Sequence, residues 1–289
     1  MNRRALVGGL ALGVAGVAGG GLWAALRSEP PRLVLSEASG DVRIAHGGGD
    51  ETVAGAAGVE LGADDALRTG PDGSAVLAFG PETRIRVSAV SSLRVDGISA
   101  EGLSLELEGG ALRATVRPGA AVRVGNGGRA VTANDAEIAV GVGADELLYA
   151  EVIEGEATTA GFGGGGTLAA GQRVVVRANG EADVGPIPES LLLDVTWPAS
   201  ARVRADSARV SGRTEPGARV TVRSGPAARE TTAGADGSFV VDVPLTEGDN
   251  PLQVTARGVL GAEAAVAGVS VTRDTQVPIR TVVGAGGPR

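Results

Sequence analysis

Apolar residues recur at every second position through most of this chain. The alternation is clearest between Gly62 and Val95, where Ala75, Leu77 and Phe79 mark one run and Ile85, Val87 and Ala89 the next. Pro71-Asp72-Gly73 and Gly80-Pro81-Glu82 separate the runs with turn chemistry. A period of two places alternate side chains on one face of a strand, so Leu67, Leu77, Phe79 and Val87 are expected in a core. Upstream, Arg32 to Leu35 and Gly40 to Ile44 carry the same texture. Downstream, Leu103-Ser104-Leu105-Glu106-Leu107 alternates without a fault, and Gly109-Gly110 reads as a turn before Ala111 to Val116. Strand-like runs follow at Ala121 to Val124, Ala130 to Thr132, Glu137 to Val140, Leu147 to Ile153, Glu156 to Thr159 and Arg173 to Arg177.

No long window after the N-terminal segment carries helical periodicity, so the body is all-β. Residues 32–184 form one β domain, a sandwich or roll of short antiparallel strands. Gly185-Pro186-Ile187-Pro188-Glu189-Ser190 interrupts the pattern, and two prolines so close suit an extended linker over 185–190. The section 191–275 returns to short strands, joined at Glu215-Pro216-Gly217, Ala235-Asp236-Gly237 and Glu247-Gly248-Asp249-Asn250. About seven strands in that length suit an Ig-like β-sandwich. Residues 276–289, with Pro278, Gly286-Gly287 and Pro288, read as a flexible tail.

The N-terminus is different. Arg3 and Arg4 precede Ala5 to Leu26, which carries no charge. At about 1.5 Å per residue such a helix just crosses a hydrocarbon core of roughly 30 Å. The arginines predict an N-terminus in the cytoplasm, and Trp23 suits the opposite interface. Residues 1–27 therefore read first as a transmembrane anchor, with a cleaved twin-arginine-like export signal as the alternative. Either way the β domains belong in the periplasm.

Composition narrows the chemistry. Aromatic residues make up 2%, so the cores are built from aliphatic side chains, and 48 glycines supply the turns. A net charge of −8 argues against a nucleic-acid partner. With no cysteine there is no disulfide, thiolate metal site or thiol nucleophile. Gly125-Asn126-Gly127-Gly128-Arg129-Ala130 and Gly161-Phe162-Gly163-Gly164-Gly165-Gly166 satisfy glycine-rich phosphate patterns formally. Both lead into strand-like sequence, whereas a dinucleotide site needs a helix N-terminus, so both read as turns. His46 is the single histidine and sits in a glycine loop. Glu151, Glu154 and Glu156, with Asp145 and Glu146 nearby, concentrate carboxylates, and read as a solvated face before a cation site or a glycosidase pair. Asp64-Asp65, Asp72-Gly73 and Asp236-Gly237 read as turn residues. No catalytic, cofactor-binding or metal-binding residue is assigned.

A series of short motifs from about Ser39 to Asn179 resembles the FecR domain of bacterial envelope proteins. They are Ser39-Gly40-Asp41-Val42, Leu67-Arg68-Thr69-Gly70 with Gly73 to Leu77, Ser91-Ser92-Leu93, Leu107 to Leu112, Val131 to Ala136, Glu151 to Glu156 and Ala169 to Gln172. The Arg-Gly-Thr-like element usual in that family is replaced by Ile138-Ala139-Val140-Gly141-Val142-Gly143. The resemblance implies a periplasmic domain related to signal relays that act on sigma factors. Only Met1 to Arg4 would remain in the cytoplasm here, so anti-sigma activity does not carry over. Val210-Ser211-Gly212-Arg213-Thr214-Glu215-Pro216-Gly217-Ala218-Arg219-Val220, Asp236 to Phe239 and Val243 to Leu252 resemble bacterial Ig-like modules of the glucodextranase domain B kind. Such modules are accessory spacers or binding units. The combination implies a non-enzymatic envelope protein that contacts an envelope protein or a cell-wall polysaccharide. Two other readings stay open: a signalling component working through a separate membrane or sigma-factor partner, and an accessory part of a carbohydrate-acting system.

Overall fold

A computed structural model describes residues 31–49, 52–143, 146–162 and 165–275. The expected anchor or signal over 1–27 and the tail over 276–289 lie outside them. No helix among the described residues is long and apolar enough to cross a membrane.

The first domain is built from β1 (Leu33–Ser39), β2 (Val42–Ala45), β3 (Thr52–Ala54), β4 (Glu60–Leu61), β5 (Ala66–Thr69), β6 (Ser74–Phe79), β7 (Thr83–Val87), β8 (Ser91–Ile98), β9 (Gly102–Val116), β10 (Ala121–Asn126), β11 (Arg129–Val142), β12 (Leu148–Ala160), β13 (Gly166–Ala169), β14 (Gln172–Val176) and β15 (Ala182–Pro186). All join one hydrogen-bonded 15-stranded sheet that folds over on itself. Three long strands make the fold. β9 pairs with β8 and β10 along its first half and with β7 and β11 along its second. β11 starts beside β10 and ends beside β9. β12 starts beside β14 and ends beside β13. Each long strand thus gives one half to each of two layers. One layer runs β3-β2-β5-β8-β9-β10-β11-β12-β13, and the other β4-β1-β6-β7-β9-β11-β12-β14-β15. Leu67, Leu93 and Leu105 from the first meet Leu77, Ile85, Leu112 and Val140 from the second in one core. Leu67, Leu77 and Val87 are fully buried and Phe79 nearly so, as the alternation requires.

Two local expectations change. Gly109-Gly110 is no turn: the chain continues as one strand and bends from one layer into the other. Gly110 has φ 85°, and a Cβ there would lie 2.2 Å from Ser91 Oγ. β11 crosses at a bulge containing Asp135 (φ 113°), and facing it is Gly155 of β12 (φ 79°). A Cβ on Gly155 would lie 2.4 Å from the Asp135 carbonyl oxygen. Nor is the pairing wholly antiparallel. After Val116 the chain returns to the first layer instead of making a hairpin, so β10 runs parallel to the first half of β9.

Gly185 and Pro186 belong to edge strand β15, opposite Arg173 and Gln172, so the connecting segment is 187–192. Prolines suit such an edge because no ladder donor is lost there. The second domain holds β16 (Leu193–Thr196), β17 (Arg202–Val203), β18 (Ser207–Thr214), β19 (Arg219–Ser224), β20 (Ala227–Thr232), β21 (Ser238–Pro244), β22 (Gly248–Arg257) and β23 (Glu263–Arg273). A three-stranded sheet β16-β18-β21 faces a five-stranded sheet β17-β23-β22-β19-β20. Val210, Val222, Phe239, Val243, Val254 and Val271 fill the space between them. The two domains have separate cores, yet they belong to one compact unit that begins at Pro31.

Candidate functional site at the junction of the β domains

The carboxylates that the sequence clusters are dispersed by the fold. Glu154 and Glu156 are exposed on β12, with Glu154 near Arg117 at 3.9 Å. Glu146 is exposed too, and Asp145 lies outside the described residues. No group of three or more His, Asp or Glu side chains able to hold a metal ion occurs among the described residues. Of the glycine runs, Gly127 and Gly128 close the β10–β11 hairpin with φ 56° and 85°. That is the two-residue turn favoured between right-twisting strands. Gly161 and Phe162 begin the loop between β12 and β13. Asp236 makes a turn, its Oδ1 accepting from the Ser238 amide and hydroxyl at 2.9 and 2.7 Å.

Asp65 is more than a turn residue. It is buried, and its carboxylate accepts from the backbone N–H of Gly47 at 2.8 Å and of Gly62 at 2.9 Å. Its Oδ2 also lies 2.8 Å from His46 Nδ1. Burial works against ionisation, but these hydrogen bonds and the imidazole outweigh it and hold the carboxyl below its usual range. His46 is half-exposed, and with Asp65 it ties two loops together. Among the described residues neither side chain hydrogen-bonds a serine, threonine or tyrosine hydroxyl, so the pair serves as a local clamp.

Glu151 is the exception among the clustered acids. It stands directly across from Arg173 in the β12–β14 ladder, with Oε1 3.4 Å from the guanidinium Nε. Arg173 also lies over the Tyr149 ring, 5.0 Å from its centre, and donates from Nη2 to Glu215 Oε1. The Tyr149 hydroxyl donates to the Pro216 carbonyl. Glu215 and Pro216 sit in the turn between β18 and β19, so this cluster spans both domains. The side chains of Arg173, Glu151 and Glu215 are only 12%, 16% and 9% exposed. Burial pushes the Glu151 and Glu215 carboxyls upward, and Arg173 opposes the rise without cancelling it. Burial, followed by the charge of Glu215, raises the Tyr149 phenol well above its ordinary value. Two acids sharing one guanidinium favour the protonated form of one of them.

Small residues beside the cluster let the second domain approach. A Cβ on Gly141 would lie 2.7 Å from Val259 Cγ1 and 2.9 Å from Leu260 Cδ2. A Cβ on Gly143 would lie 3.0 Å from Val259 Cγ2. The β22–β23 turn therefore packs on the outer face of the β11–β12 pair, where a side chain would hold it away. Sequence reasoning passed over Tyr149, Arg173 and Glu215. One signal was available: Leu147-Leu148-Tyr149-Ala150 is apolar at every position, the mark of a strand covered on both faces. Arg129 was also passed over. It is buried at the end of the sandwich and donates to the carbonyls of Asn126, Glu146 and Arg177, joining three turns.

The Bacterial Ig domain family matches residues 196–286. No curated protein matches the chain. Two crystal structures of a Parabacteroides distasonis protein, provisionally described as an anti-sigma factor, were solved at 1.65 and 2.50 Å. Each is 17% identical with a TM-score of 0.38, over 42% of this chain and 59% of that one. The chain thus spans about three fifths of that protein's length. The family match and the two facing sheets agree on the second half of the molecule: the sandwich from β16 to β23 is an Ig-like domain of bacterial type.

Proposed function

We propose that this chain is a non-catalytic contact protein of the bacterial cell envelope. In this reading residues 1–27 tether it to the inner membrane, a FecR-like domain follows in the periplasm, and the Ig-like domain is carried on that domain's outer face. Its task is to hold a surface toward an envelope protein or cell-wall glycan. The observation that carries the reading is the buried Tyr149–Arg173–Glu151–Glu215 cluster, which fixes an accessory-type Ig domain to its neighbour. A long flexible spacer would leave the two domains to act independently. Docked, they present one continuous surface whose parts meet a partner together, without the entropy loss of ordering them first.

The test is made in the protein's own envelope. Fractionation with N-terminal sequencing is expected to recover the intact chain in the membrane. Crosslinking is expected to capture a defined envelope component. Turnover of a cell-wall substrate by the purified protein would overturn the reading, as would recovery of the chain in the cytoplasm.

A further inference from the structure

Beside the junction lies a groove of about 350 Å3 between the two domains. One wall is the outer face of the first domain, from Val90, Ala111 and Val142; the other is the Ig-like domain, from Arg219, Arg257 and Val259. Three independent features converge there. First, Val90 has φ 55°, a conformation that a β-branched residue rarely adopts. It is held by its N–H bond to the Gly70 carbonyl at 3.0 Å and by the neighbouring Ser91, whose N–H donates to Thr69 Oγ1 at 2.9 Å. Strain of this kind is concentrated where a side chain must be presented. Second, the side chain so presented is apolar and 47% exposed. Third, Arg219 and Arg257 stand directly opposite each other on β19 and β22. Like charges facing each other across a ladder destabilise it. Arg257 reaches Glu263 at 3.7 Å with both side chains largely exposed, a weak interaction. The Arg219 side chain makes no ion pair or hydrogen bond with any described residue; only its backbone is held, in the ladders with β20 and β22. This is a doubly basic spot on a chain of net charge −8.

We infer that the groove is a docking site for an acidic, extended peptide segment of a partner protein. The arginine pair takes the carboxylates and the Val90 wall takes the intervening apolar side chains. Arginine suits this role because its planar fork meets carboxylates in a bidentate manner. The groove walls offer aliphatic side chains and no aromatic ring on which a sugar could stack, which favours peptide over glycan. The inference rests on the contact reading and narrows it to a protein partner.

The experiment is fluorescence anisotropy on the full chain in detergent, with a labelled hexapeptide of alternating valine and glutamate. Its glutamine counterpart and an oligouronate of equal charge serve as comparisons. The glutamate peptide is expected to bind saturably, about tenfold or more tighter than either comparison. Arg219→Gln with Arg257→Gln should weaken it about tenfold and flatten its salt dependence. Val90→Gly, which relieves the strain, should raise the thermal midpoint and weaken binding while leaving the salt dependence unchanged. Unaltered binding by the double arginine variant overturns the inference, and so does an oligouronate that binds as tightly as the peptide. If crosslinking in cells still captures the same component from the double variant, the groove is wrong and the contact reading survives. If the unmodified chain captures nothing, the contact reading itself fails.

Discussion

At the scale of single residues, Leu77 and Asp65 show two kinds of buried position. Leu77 faces Ile85 across the β6–β7 ladder and is wholly enclosed. Leu77→Ala should cost about 2–5 kcal/mol, read as a lower urea midpoint at unchanged slope. Asp65 acts through its charge. Its carboxyl titrates below the unfolded value of about 3.9, so its stabilisation is present above that pH and is lost as pH falls through the lower folded value. Asp65→Asn keeps the shape but leaves the Gly47 and Gly62 N–H groups a weaker acceptor. The variant should be less stable near neutrality, and the gap to the parent should close in acid unfolding below about pH 4. Leu77 was legible in the sequence, because a period of two announces a core position. Asp65 was not: a turn aspartate looks the same on paper whether its carboxylate points to water or into a ring of amides.

At the scale of elements, the long strands matter most. β9 and β11 look like pairs of short strands, because a glycine pair or a polar Asn-Asp step in a sequence is normal turn chemistry. In the structure these are the places where one strand leaves one layer for the other. A continuous strand keeps its ladder on both sides of the bend, and a chain end could not. Gly110→Ala tests the bend directly. It places a Cβ at φ 85°, 2.2 Å from Ser91 Oγ and 2.6 Å from the Val90 carbonyl oxygen. The loss should exceed about 1 kcal/mol, because the strain of positive φ adds to the clash. Thermal unfolding of Gly110→Ala beside Gly109→Ala measures it; a Cβ on Gly109 meets nothing within 4 Å, so that change should be mild.

At the scale of the whole molecule, the junction decides whether two domains behave as one. Glu215→Ala removes the Arg173 partner and should let the Ig-like domain separate, seen as a larger maximum dimension in small-angle scattering at pH 7. The pH dependence has a definite sign. Glu151 and Glu215 titrate above ordinary glutamates, burial being the main cause, so docking gains stability at low pH. That gain is fully present below the unfolded value of about 4.3 and is lost as pH rises through the folded values. Scattering should show a tighter pair of domains in mild acid than in mild alkali. Glu151→Gln with Glu215→Gln should flatten that response, since neither side chain then titrates.

The sequence by itself determined the all-β character, the strand texture, the Ig-like second half and the aliphatic core, since each follows from local periodicity and turn chemistry. Only the tertiary structure decided that 15 strands share one folded sheet, that Asp65 is buried and that Tyr149, Arg173, Glu151 and Glu215 meet. These four lie up to 66 residues apart, from Tyr149 to Glu215. Nothing in local spacing marks them as partners, because docking depends on the absence of side chains at Gly141 and Gly143 and on a turn from the other domain. Periodicity reports which face of a strand is covered. What covers it is a property of the assembled fold.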